Sequence, residues 1–257
     1  MSKVYALIPA AGSGSRIGAA VPKQYLQIAG RPLLYYSLRL LAQHPRIEQV
    51  FVVLAQGDEH FGRCDWREFG ARLEPLYCGG ESRVASVFNG LLAARDTLTA
   101  SDWVLVHDAV RPCLGREELD RLFVELGEED TGGLLAVPVA DTLKRANRES
   151  RVAHTEPRDN LWLAQTPQMF RYRLLIEALR ATDPALTTDE ASAIEALGLK
   201  PRLVMGSTRN IKVTFPEDLL LAELILKNRK LAAKTPRPPR TTGMRIKTGR
   251  TTKEGRR

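Results

Sequence analysis

The segment VYALIPAAGSGSRIGAAVPKQY, residues 4–25, decides the fold that the sequence predicts. Its apolar run from Val4 to Pro9 has the length and composition of a buried strand, and a loop rich in glycine, alanine and serine follows directly. Such loops let backbone N–H groups approach a polyphosphate closely, and open α/β sheets bind their ligands at the carboxyl ends of strands. The segment therefore predicts an α/β protein with a phosphate-binding loop after its first strand.

Two common nucleotide-binding motifs do not fit this loop. A dinucleotide-binding motif requires glycine where Ile17 stands, and a P-loop places Lys and Ser or Thr directly after its last glycine, whereas two alanines follow Gly18. What remains is a phosphate loop with two cations, Arg16 and Lys23. Pro22 disfavours helix at the residue before it, so the approach to Lys23 is predicted to be extended.

Short apolar runs and longer segments of helical period alternate along the rest of the chain, which is typical of a parallel sheet covered by helices. We therefore predict a Rossmann-like, mostly parallel sheet with helices on both faces and βαβ order throughout. The predicted strands are residues 4–9, 49–55, 73–78, 103–107, 133–139 and 202–205. The predicted helices are residues 33–43, 82–95, 116–126, 172–181, 189–197 and 216–230.

One domain, residues 1–232, accounts for this pattern. The polar segment at about 141–157 interrupts it and is predicted to be a protruding β-arm. Residues 233–257 contain several prolines and glycines and almost nothing apolar, which predicts a disordered tail. No apolar run is long enough to span a membrane, no room for a targeting segment precedes Val4, and three cysteines lack any Cys-x-x-Cys spacing. We expect a cytoplasmic protein with reduced thiols.

The charge of the chain lies in the tail. Nine Lys and Arg and one Glu between residues 233 and 257 account for the whole net charge of +8, so the domain itself is formally neutral. A nucleic-acid or anionic-surface binding protein is one functional class that such a tail allows. The tail has no aromatic residue to stack on bases, so any binding of this kind is expected to be nonspecific.

Seven segments in order resemble the 2-C-methyl-D-erythritol 4-phosphate cytidylyltransferases, a family of the nucleotide-diphospho-sugar transferase-like superfamily. The first is the glycine-rich loop with Pro22-Lys23-Gln24-Tyr25, and the resemblance covers the whole domain but not the tail. The other six are Gly79 to Val87, Val104 to Pro112, Asp141-Thr142-Leu143-Lys144, Pro157 to Trp162 with Thr166-Pro167-Gln168, Thr188-Asp189-Glu190-Ala191-Ser192 and Asn210 to Thr214.

The resemblance implies transfer of CMP from CTP to methylerythritol phosphate with release of pyrophosphate. It implies that Arg16 and Lys23 stabilise the transition state and that Asp108, at the end of a predicted strand, binds Mg²⁺ or another divalent cation. The implied nucleotide-binding residues are Ala10, Ala11, Gly12, Gly80, Glu81, Arg83 and Ser86. The implied acceptor-positioning residues are Thr142, Arg158, Arg111, Thr188 and Lys212. It also implies a homodimer in which the arm carrying Thr142 and Arg158 reaches the partner's site.

Simpler roles stay open for several of these residues. Arg16 and Lys23 can be solvated loop cations, and Asp108 can be a turn or helix-capping aspartate. Ser86 can be a packed helical serine. Thr188 precedes an acidic pair and can be the N-cap of the next helix.

Two alternatives to this activity also remain. A ribitol 5-phosphate cytidylyltransferase would use the same loop, metal ligand and arm cations, and the sequence separates the two acceptors only weakly. A catalytically inactive relative would have lost Lys23, Asp108 or Arg158, and all three are present.

Overall fold

The computed structural model describes residues 2–12, 21–184 and 186–234. These residues form eleven strands and six α-helices. The strands are β1 (Val4–Pro9), β2 (Gln27–Ile28), β3 (Arg31–Pro32), β4 (Gln49–Val53), β5 (Leu73–Leu76), β6 (Trp103–Val106), β7 (Gly133–Pro138), β8 (Leu143–Ala146), β9 (Val152–Glu156), β10 (Trp162–Arg171) and β11 (Arg202–Met205). The helices are α1 (Leu33–Ala42), α2 (Arg83–Ala93), α3 (Arg116–Leu126), α4 (Tyr172–Ala181), α5 (Glu190–Ala196) and α6 (Pro216–Lys234).

Seven of the strands form one sheet in the order β11-β7-β10-β6-β1-β4-β5. The pairs β1 with β4, β1 with β6, β4 with β5 and β7 with β11 are parallel, which confirms the mostly parallel sheet. β10 runs antiparallel to both of its neighbours, β6 and β7. The expectation of βαβ order throughout was therefore wrong between β7 and β10.

The sequence analysis did not predict β10, because Pro167 interrupts its apolar pattern. Proline has no N–H for the ladder and is normally excluded from central strands. The pairing of β10 with β7 shifts register between Ala164 and Gln168, so Pro167 lies in an irregularity of the ladder. The irregularity lets the strand continue across the middle of the sheet.

Helices cover both faces of the sheet, as predicted. Apolar side chains of α1, α3 and α6 pack on one face, where Leu38, Phe123 and Ala222 are fully or almost fully buried. Side chains of α2, α4 and α5 pack on the other face, including Leu91 and Leu175. Because successive strand residues point to opposite faces, β1 sends Ala6 and Leu7 into different layers.

The polar segment that interrupts the pattern forms a separate antiparallel hairpin. β8 and β9 pair with each other and with no strand of the large sheet among the described residues. Thr142 stands at the base of this hairpin and is exposed. The arm expected from the sequence is therefore a β-hairpin.

Three further expectations concern the ends and the chemistry of the chain. α6 continues to Lys234, four residues beyond its predicted end, and the tail from residue 235 onward lies outside the described residues.

The cysteines Cys64, Cys78 and Cys113 are free thiols, and burial raises the pKa of Cys113 to about 11. Among the described helices, none combines the length and apolar character needed to cross a membrane.

Candidate active site

The carboxyl ends of β1, β4 and β6 bring three of the predicted segments together. The backbone N–H of Ala10 donates to the carbonyl of Val53 at 2.8 Å, and that of Gly79 donates to Leu54 at 2.8 Å. The N–H of His107 donates to the carbonyl of Leu7 at 3.0 Å. The start of the glycine-rich loop, the second glycine segment and the residues after β6 therefore lie side by side at one edge of the sheet.

The two glycine segments touch so closely that glycine is required. A Cβ at Gly79 would lie 2.3 Å from the Cβ of Ala11, and one at Gly80 would lie 2.6 Å from the Cβ of Ala85. A Cβ at Gly12 would meet no atom of the described residues within 4 Å, so they leave open space beside it. The predicted nucleotide contacts of Ala11 and Gly12 have room for a ligand there, whereas Ala10 is 3% exposed and both of its backbone groups are bonded within the protein.

The second segment is held in shape by its own hydroxyl groups. Ser86 accepts a hydrogen bond from the N–H of Gly80 at 3.0 Å and donates to the carbonyl of Ser82 at 2.9 Å. Ser82 is the N-cap of α2 and accepts from the N–H of Ala85 at 3.0 Å. Ser86 thus shapes the turn at Gly80, and its direct contact with nucleotide stays a prediction. Glu81 is exposed at the tip of this turn.

Lys23 lies in a short 3-10 helix, Lys23–Tyr25, which is anchored to the end of β1. The side chain of Gln24, which is almost fully buried, donates to the carbonyl of Ala10 at 2.6 Å. Pro22 has extended backbone angles, φ −57° and ψ 142°, and begins the 3-10 helix. The backbone next to Lys23 is therefore tied to the end of β1, and the role of Lys23 stays a prediction. Arg16 lies outside the described residues, and its role stays a prediction.

Asp108 is the centre of the site. Its carboxylate is 7% exposed and receives Arg83 Nε on Oδ1 at 2.7 Å and Lys212 Nζ on Oδ2 at 2.9 Å. Burial alone would raise the pKa of Asp108, but Arg83 and Lys212 outweigh it and hold the pKa well below its usual range. No helix follows until α3 at Arg116, so the alternative that Asp108 caps a helix was wrong.

Arg83 is predicted to contact the nucleotide, and the structure shows that three of its donors hold carboxylates. Beyond the bond to Asp108, Nη1 and Nη2 donate to the two oxygens of Glu190 at 2.7 and 3.0 Å. Burial would lower the pKa of Arg83, yet Glu190 and Asp108 more than compensate and raise it. A guanidinium has five N–H donors, so two remain beyond these three bonds.

Arg111 is a further cation on the Asp108 carboxylate, at a longer distance. Its Nη1 donates to the carbonyl of Asn210 at 2.7 Å, and its Nε lies 3.7 Å from Asp108 Oδ2. Burial lowers the pKa of Arg111, although Asp108 opposes this. Arg111 Nε is buried and has no hydrogen-bond partner among the described residues. A buried donor without a partner costs free energy, so this atom is suited to an incoming anion.

A buried network lies behind the carboxylate. The N–H of Asp108 donates to Thr166 Oγ1 at 3.0 Å, and that hydroxyl lies 3.0 Å from His107 Nδ1. Since His107 Nε2 faces the carbonyl of Arg111 at 3.2 Å, Nε2 carries the proton and Nδ1 accepts from Thr166. Burial lowers the pKa of His107 to about 4, so the ring is neutral at physiological pH. The histidine therefore supports the backbone at Arg111 and the hydroxyl that holds Asp108.

The N-cap of α5 decides whether Thr188 caps the helix. The helix is capped by Asp189, whose side chain accepts from the N–H of Ser192 at 2.9 Å, so the idea that Thr188 is the N-cap was wrong. Gln168 of β10 donates to Asp189 Oδ2 and accepts from the N–H of Ala191, both at 2.8 Å. Because Asp189 caps the helix, Thr188 is left to line the pocket beside Asp108.

Most of the predicted acceptor residues, but not all, meet at one pocket. Arg83, Asp108, Arg111, Thr188 and Lys212 line it together with Gln165, Thr166 and Gln168. Arg158 donates to the carbonyl of Ala140 and is exposed, and Thr142 stands at the base of the arm. Neither lines this pocket within the described part of a single chain. The acceptor residues therefore divide into a pocket group and an arm group.

The sequence analysis assigned no individual role to Glu190, Thr166, Gln168 or Asn210, although all four lie in segments that it recognised. Each is buried, and each fixes a residue of the pocket. Asn210, for example, donates to the carbonyl of Thr166 at 2.8 Å and so holds the loop that carries Lys212. Each of these four polar residues stands close in sequence to a predicted site residue, and this was the available signal. The sequence did not show which group each side chain bonds, because that partner lies far along the chain.

A divalent cation fits this site only together with a phosphorylated ligand. Within the described residues, no group of three or more His, Cys, Asp or Glu side chains is arranged to hold a metal. Asp108 can offer a ligand, because its two oxygens have about four lone-pair positions and only two are used at hydrogen-bonding distance. Mg²⁺ commonly binds one or two carboxylates and completes its shell with phosphate and water, so the donor set suits it.

The glycine segments, the buried carboxylate and the surrounding cations at the carboxyl edge of this sheet define an α/β nucleotidyltransferase. The sequence model of one such family, 2-C-methyl-D-erythritol 4-phosphate cytidylyltransferase, matches residues 4–228. The chain belongs to this family.

Relatives and solved structures agree with this assignment. The chain is 57% identical over 230 residues to the 2-C-methyl-D-erythritol 4-phosphate cytidylyltransferase of Nitrosospira multiformis, covering 89% of this chain and 99% of the relative. It is 59% identical over 230 residues to that of Dechloromonas aromatica, covering 90% and 100%. A crystal structure of 4-diphosphocytidyl-2C-methyl-D-erythritol synthase superposes with a TM-score of 0.78 at 38% identity, covering 88% and 99%. The Francisella tularensis enzyme gives 0.76 at 34%, covering 87% and 100%.

Proposed function

We propose that the chain performs the reaction of its family, and that it does so at the pocket around Asp108. A phosphate oxygen of 2-C-methyl-D-erythritol 4-phosphate attacks the α-phosphorus of CTP, and pyrophosphate leaves. The products are 4-diphosphocytidyl-2-C-methyl-D-erythritol and pyrophosphate. The observation that carries the proposal is the convergence of three cations, Arg83, Arg111 and Lys212, on one carboxylate beside the two glycine segments.

The nucleotide is proposed to bind at the ends of β1 and β5. Open space beside Gly12 and the close contact of Gly79 with Ala11 support a site formed where these two turns meet. We assign Ala10, Ala11, Gly12, Gly80, Glu81, Arg83 and Ser86 to this site. Arg83 contributes through the two donors that the carboxylates leave.

Phosphorus chemistry of this kind needs positioning and neutralisation of charge, because negative charge gathers around phosphorus and no covalent enzyme intermediate is required. Lys23 is assigned to the stabilisation of this charge together with Arg16. The anchoring of Gln24 to Ala10 supports the assignment, since it fixes the backbone next to Lys23 at the end of β1.

The acceptor phosphate is proposed to bind where Arg111 and Lys212 line the pocket. The unpartnered Nε of Arg111 supports this, and Lys212 is 45% exposed, so its ammonium group can turn from Asp108 to an incoming phosphate. Thr188 lines the same pocket, and its hydroxyl, now 3.4 Å from Ser192 Oγ, is proposed to turn to the same ligand. Thr142 and Arg158 are proposed to complete the acceptor site from the arm of a second subunit.

Mg²⁺ is the proposed cofactor, with Asp108 as its protein ligand. When bound, the ion would neutralise charge on the CTP phosphates and orient them. Asp108 suits this role because it stays ionised, with a pKa well below its usual range. The cations around it then compensate a carboxylate that would otherwise be costly to bury.

A homodimer with exchanged arms is proposed as the assembly. A single chain leaves apolar side chains exposed on the arm and on the first part of β10 and the turn before it, with Val152 63%, Leu161 41% and Leu163 56% exposed. Exposed apolar groups that adjoin one another mark interaction surfaces.

The free thiols agree with a reducing compartment, and we propose the cytoplasm as the location.

The activity is tested by measuring pyrophosphate release with Mg²⁺ and CTP, using methylerythritol phosphate and ribitol phosphate in parallel. We expect release with methylerythritol phosphate and little with ribitol phosphate. Lys23→Ala is expected to lower kcat on the order of 100- to 1000-fold, since it removes one donor to the developing charge. Release with neither acceptor, or turnover by Lys23→Ala close to that of the parent chain, would contradict the proposal.

A further inference from the structure

Arg83 joins two carboxylates that come from distant parts of the chain. Its Nε donates to Asp108 Oδ1 at 2.7 Å, while Nη1 and Nη2 donate to the oxygens of Glu190 at 2.7 and 3.0 Å. Glu190 is the first residue of α5 and follows Thr188, whereas Asp108 follows β6. The guanidinium therefore connects the nucleotide segment, the carboxylate of the site and the helix next to the acceptor pocket.

Glu190 is fixed by its burial and by the bonds of its neighbours as well as by its ion pair with Arg83. The side chain is fully buried. The residues on either side of it, Asp189 and Ala191, are both bonded to the side chain of Gln168 at 2.8 Å, which fixes the start of α5 to the central strand β10. Because Gln168 is itself 1% exposed and pairs opposite Val106 of β6, this attachment is part of the sheet.

The bonds of Glu190 decide which donors of Arg83 reach Asp108. An arginine prefers to bind a carboxylate with two parallel N–H donors. Here Glu190 takes both terminal nitrogens, so Asp108 receives Nε alone, on one oxygen. If Glu190 no longer bound the terminal nitrogens, the guanidinium could turn and bind both oxygens of Asp108. The carboxylate would then have fewer lone pairs for any other ligand.

We propose that Glu190 is a positioning residue for the transfer reaction: it binds the terminal nitrogens of Arg83 and so keeps the Asp108 carboxylate available to the divalent cation. The inference rests on the proposed role of Asp108 as the metal ligand. Glu190 itself contacts no reacting atom in this scheme, and it acts through Arg83.

The central experiment substitutes Glu190→Gln, which keeps the size of the side chain and removes its charge. The matched control is Glu177→Gln, whose carboxylate forms an exposed pair with Arg173 at 2.9 Å on α4. Two readouts are measured on the full chain. A crystal structure of the metal-free protein shows the donors on Asp108, and electron paramagnetic resonance gives the dissociation constant of Mn²⁺ at saturating CTP without acceptor.

We expect Glu190→Gln to place two nitrogens of Arg83 on Asp108 and to weaken Mn²⁺ binding about 10- to 100-fold, the usual effect of losing a group that orients a metal ligand. Glu177→Gln should match the parent chain in both readouts. If Glu190→Gln does not fold, Glu190→Asp, which withdraws the charge by one methylene, is used with the same direction of change.

The double variant Arg83→Gln/Glu190→Gln separates positioning from a merely structural role. Without its guanidinium, residue 83 cannot take both oxygens of Asp108, so the double variant should recover most of the Mn²⁺ affinity lost in Glu190→Gln. Equal Mn²⁺ binding by Glu190→Gln and the parent chain would overturn the inference while leaving the proposed activity intact. A double variant that binds Mn²⁺ as weakly as the single variant would also overturn it. A parent chain that releases no pyrophosphate refutes the proposed activity instead.

Discussion

Asp108 shows at the scale of single residues how the proposed site is held together. Its carboxylate is surrounded by Arg83, Lys212 and Arg111, which come from three segments separated by up to 129 positions in the numbering. Removing the partly buried Arg83 typically costs about 3–5 kcal/mol, because buried charge is left uncompensated, whereas water screens the half-exposed Lys212 and lowers its contribution. These residues therefore serve the stability of the site as well as its chemistry.

His44 predicts a pH dependence of stability away from the pocket. Its ring is 1% exposed, donates from Nε2 to Asp120 at 2.8 Å, and accepts the N–H of Arg46 on Nδ1 at 3.2 Å. Burial lowers the pKa of His44 below 6.5, despite the opposing hydrogen bond to Asp120. A lowered histidine pKa stabilises the fold fully above the unfolded value of about 6.5, and this stabilisation is lost as the pH falls toward the folded value.

We expect the free energy of unfolding to decrease as the pH falls below about 6.5. His44→Gln should cost about 1 kcal/mol near neutral pH through its lost hydrogen bonds and should reduce this slope. Urea unfolding at a series of pH values measures both. His107, whose pKa burial also lowers, accounts for the slope that remains. An unchanged slope in His44→Gln would contradict the assignment.

At the scale of elements, the turns after β1 and β5 shape the nucleotide side of the site. Their contact is the approach of Gly79 to Ala11, where a methyl group has no room. Proximity of this kind follows from the parallel pairing of β1 with β4 and of β4 with β5, which puts all three carboxyl ends at one edge.

Gly79→Ala is predicted to disturb both stability and nucleotide binding. The added Cβ would meet Ala11 at 2.3 Å and the carbonyl of Leu54 at 2.9 Å, so the backbone must shift. Overpacking of this kind costs about 1–3 kcal/mol. We expect a lower melting temperature and a higher KM for CTP. Gly57→Ala is the control, because its Cβ would meet no atom within 4 Å, and its stability should change by less than about 0.5 kcal/mol.

Strand β10 supports the proposed acceptor side of the pocket. It carries Thr166 and Gln168, which hold Asp108 and the start of α5 respectively. The antiparallel course of this strand brings residues that are distant in the chain between β6 and β7. The irregularity around Pro167 is thus located where the site is supported.

At the scale of the molecule, the separation of the acceptor residues into two groups predicts a shared site. Lys23 belongs to the body of the chain, in the 3-10 helix anchored to the end of β1, while Arg158 lies beside the arm of the same chain. Lys23→Ala and Arg158→Ala proteins should each be nearly inactive. After mixing and subunit exchange, a hybrid dimer contains one site with both residues intact, so about a quarter of parent activity should return for a symmetric dimer.

Pyrophosphate release after unfolding and refolding the mixture measures this recovery, and sedimentation of each variant alone checks that it is dimeric. The control mixes each variant with itself, which should restore nothing. A mixture that stays inactive although hybrid dimers form would show that both residues act within one chain.

The amino-acid sequence by itself determined the layered α/β fold, because the periods of its apolar residues fix which segments are strands and helices. It also determined the family, since seven segments with particular residue types occur in order, and it predicted Asp108, Arg111, Thr188 and Lys212, which meet at one pocket. Only the tertiary structure decided the antiparallel course of β10 and the cap of α5 by Asp189. It alone paired Arg83 with Glu190, 107 positions apart. A short stretch of sequence shows the spacing of its apolar residues and the positions of its charges. The partner of a buried charge depends instead on which strands lie side by side, and only the tertiary structure shows that.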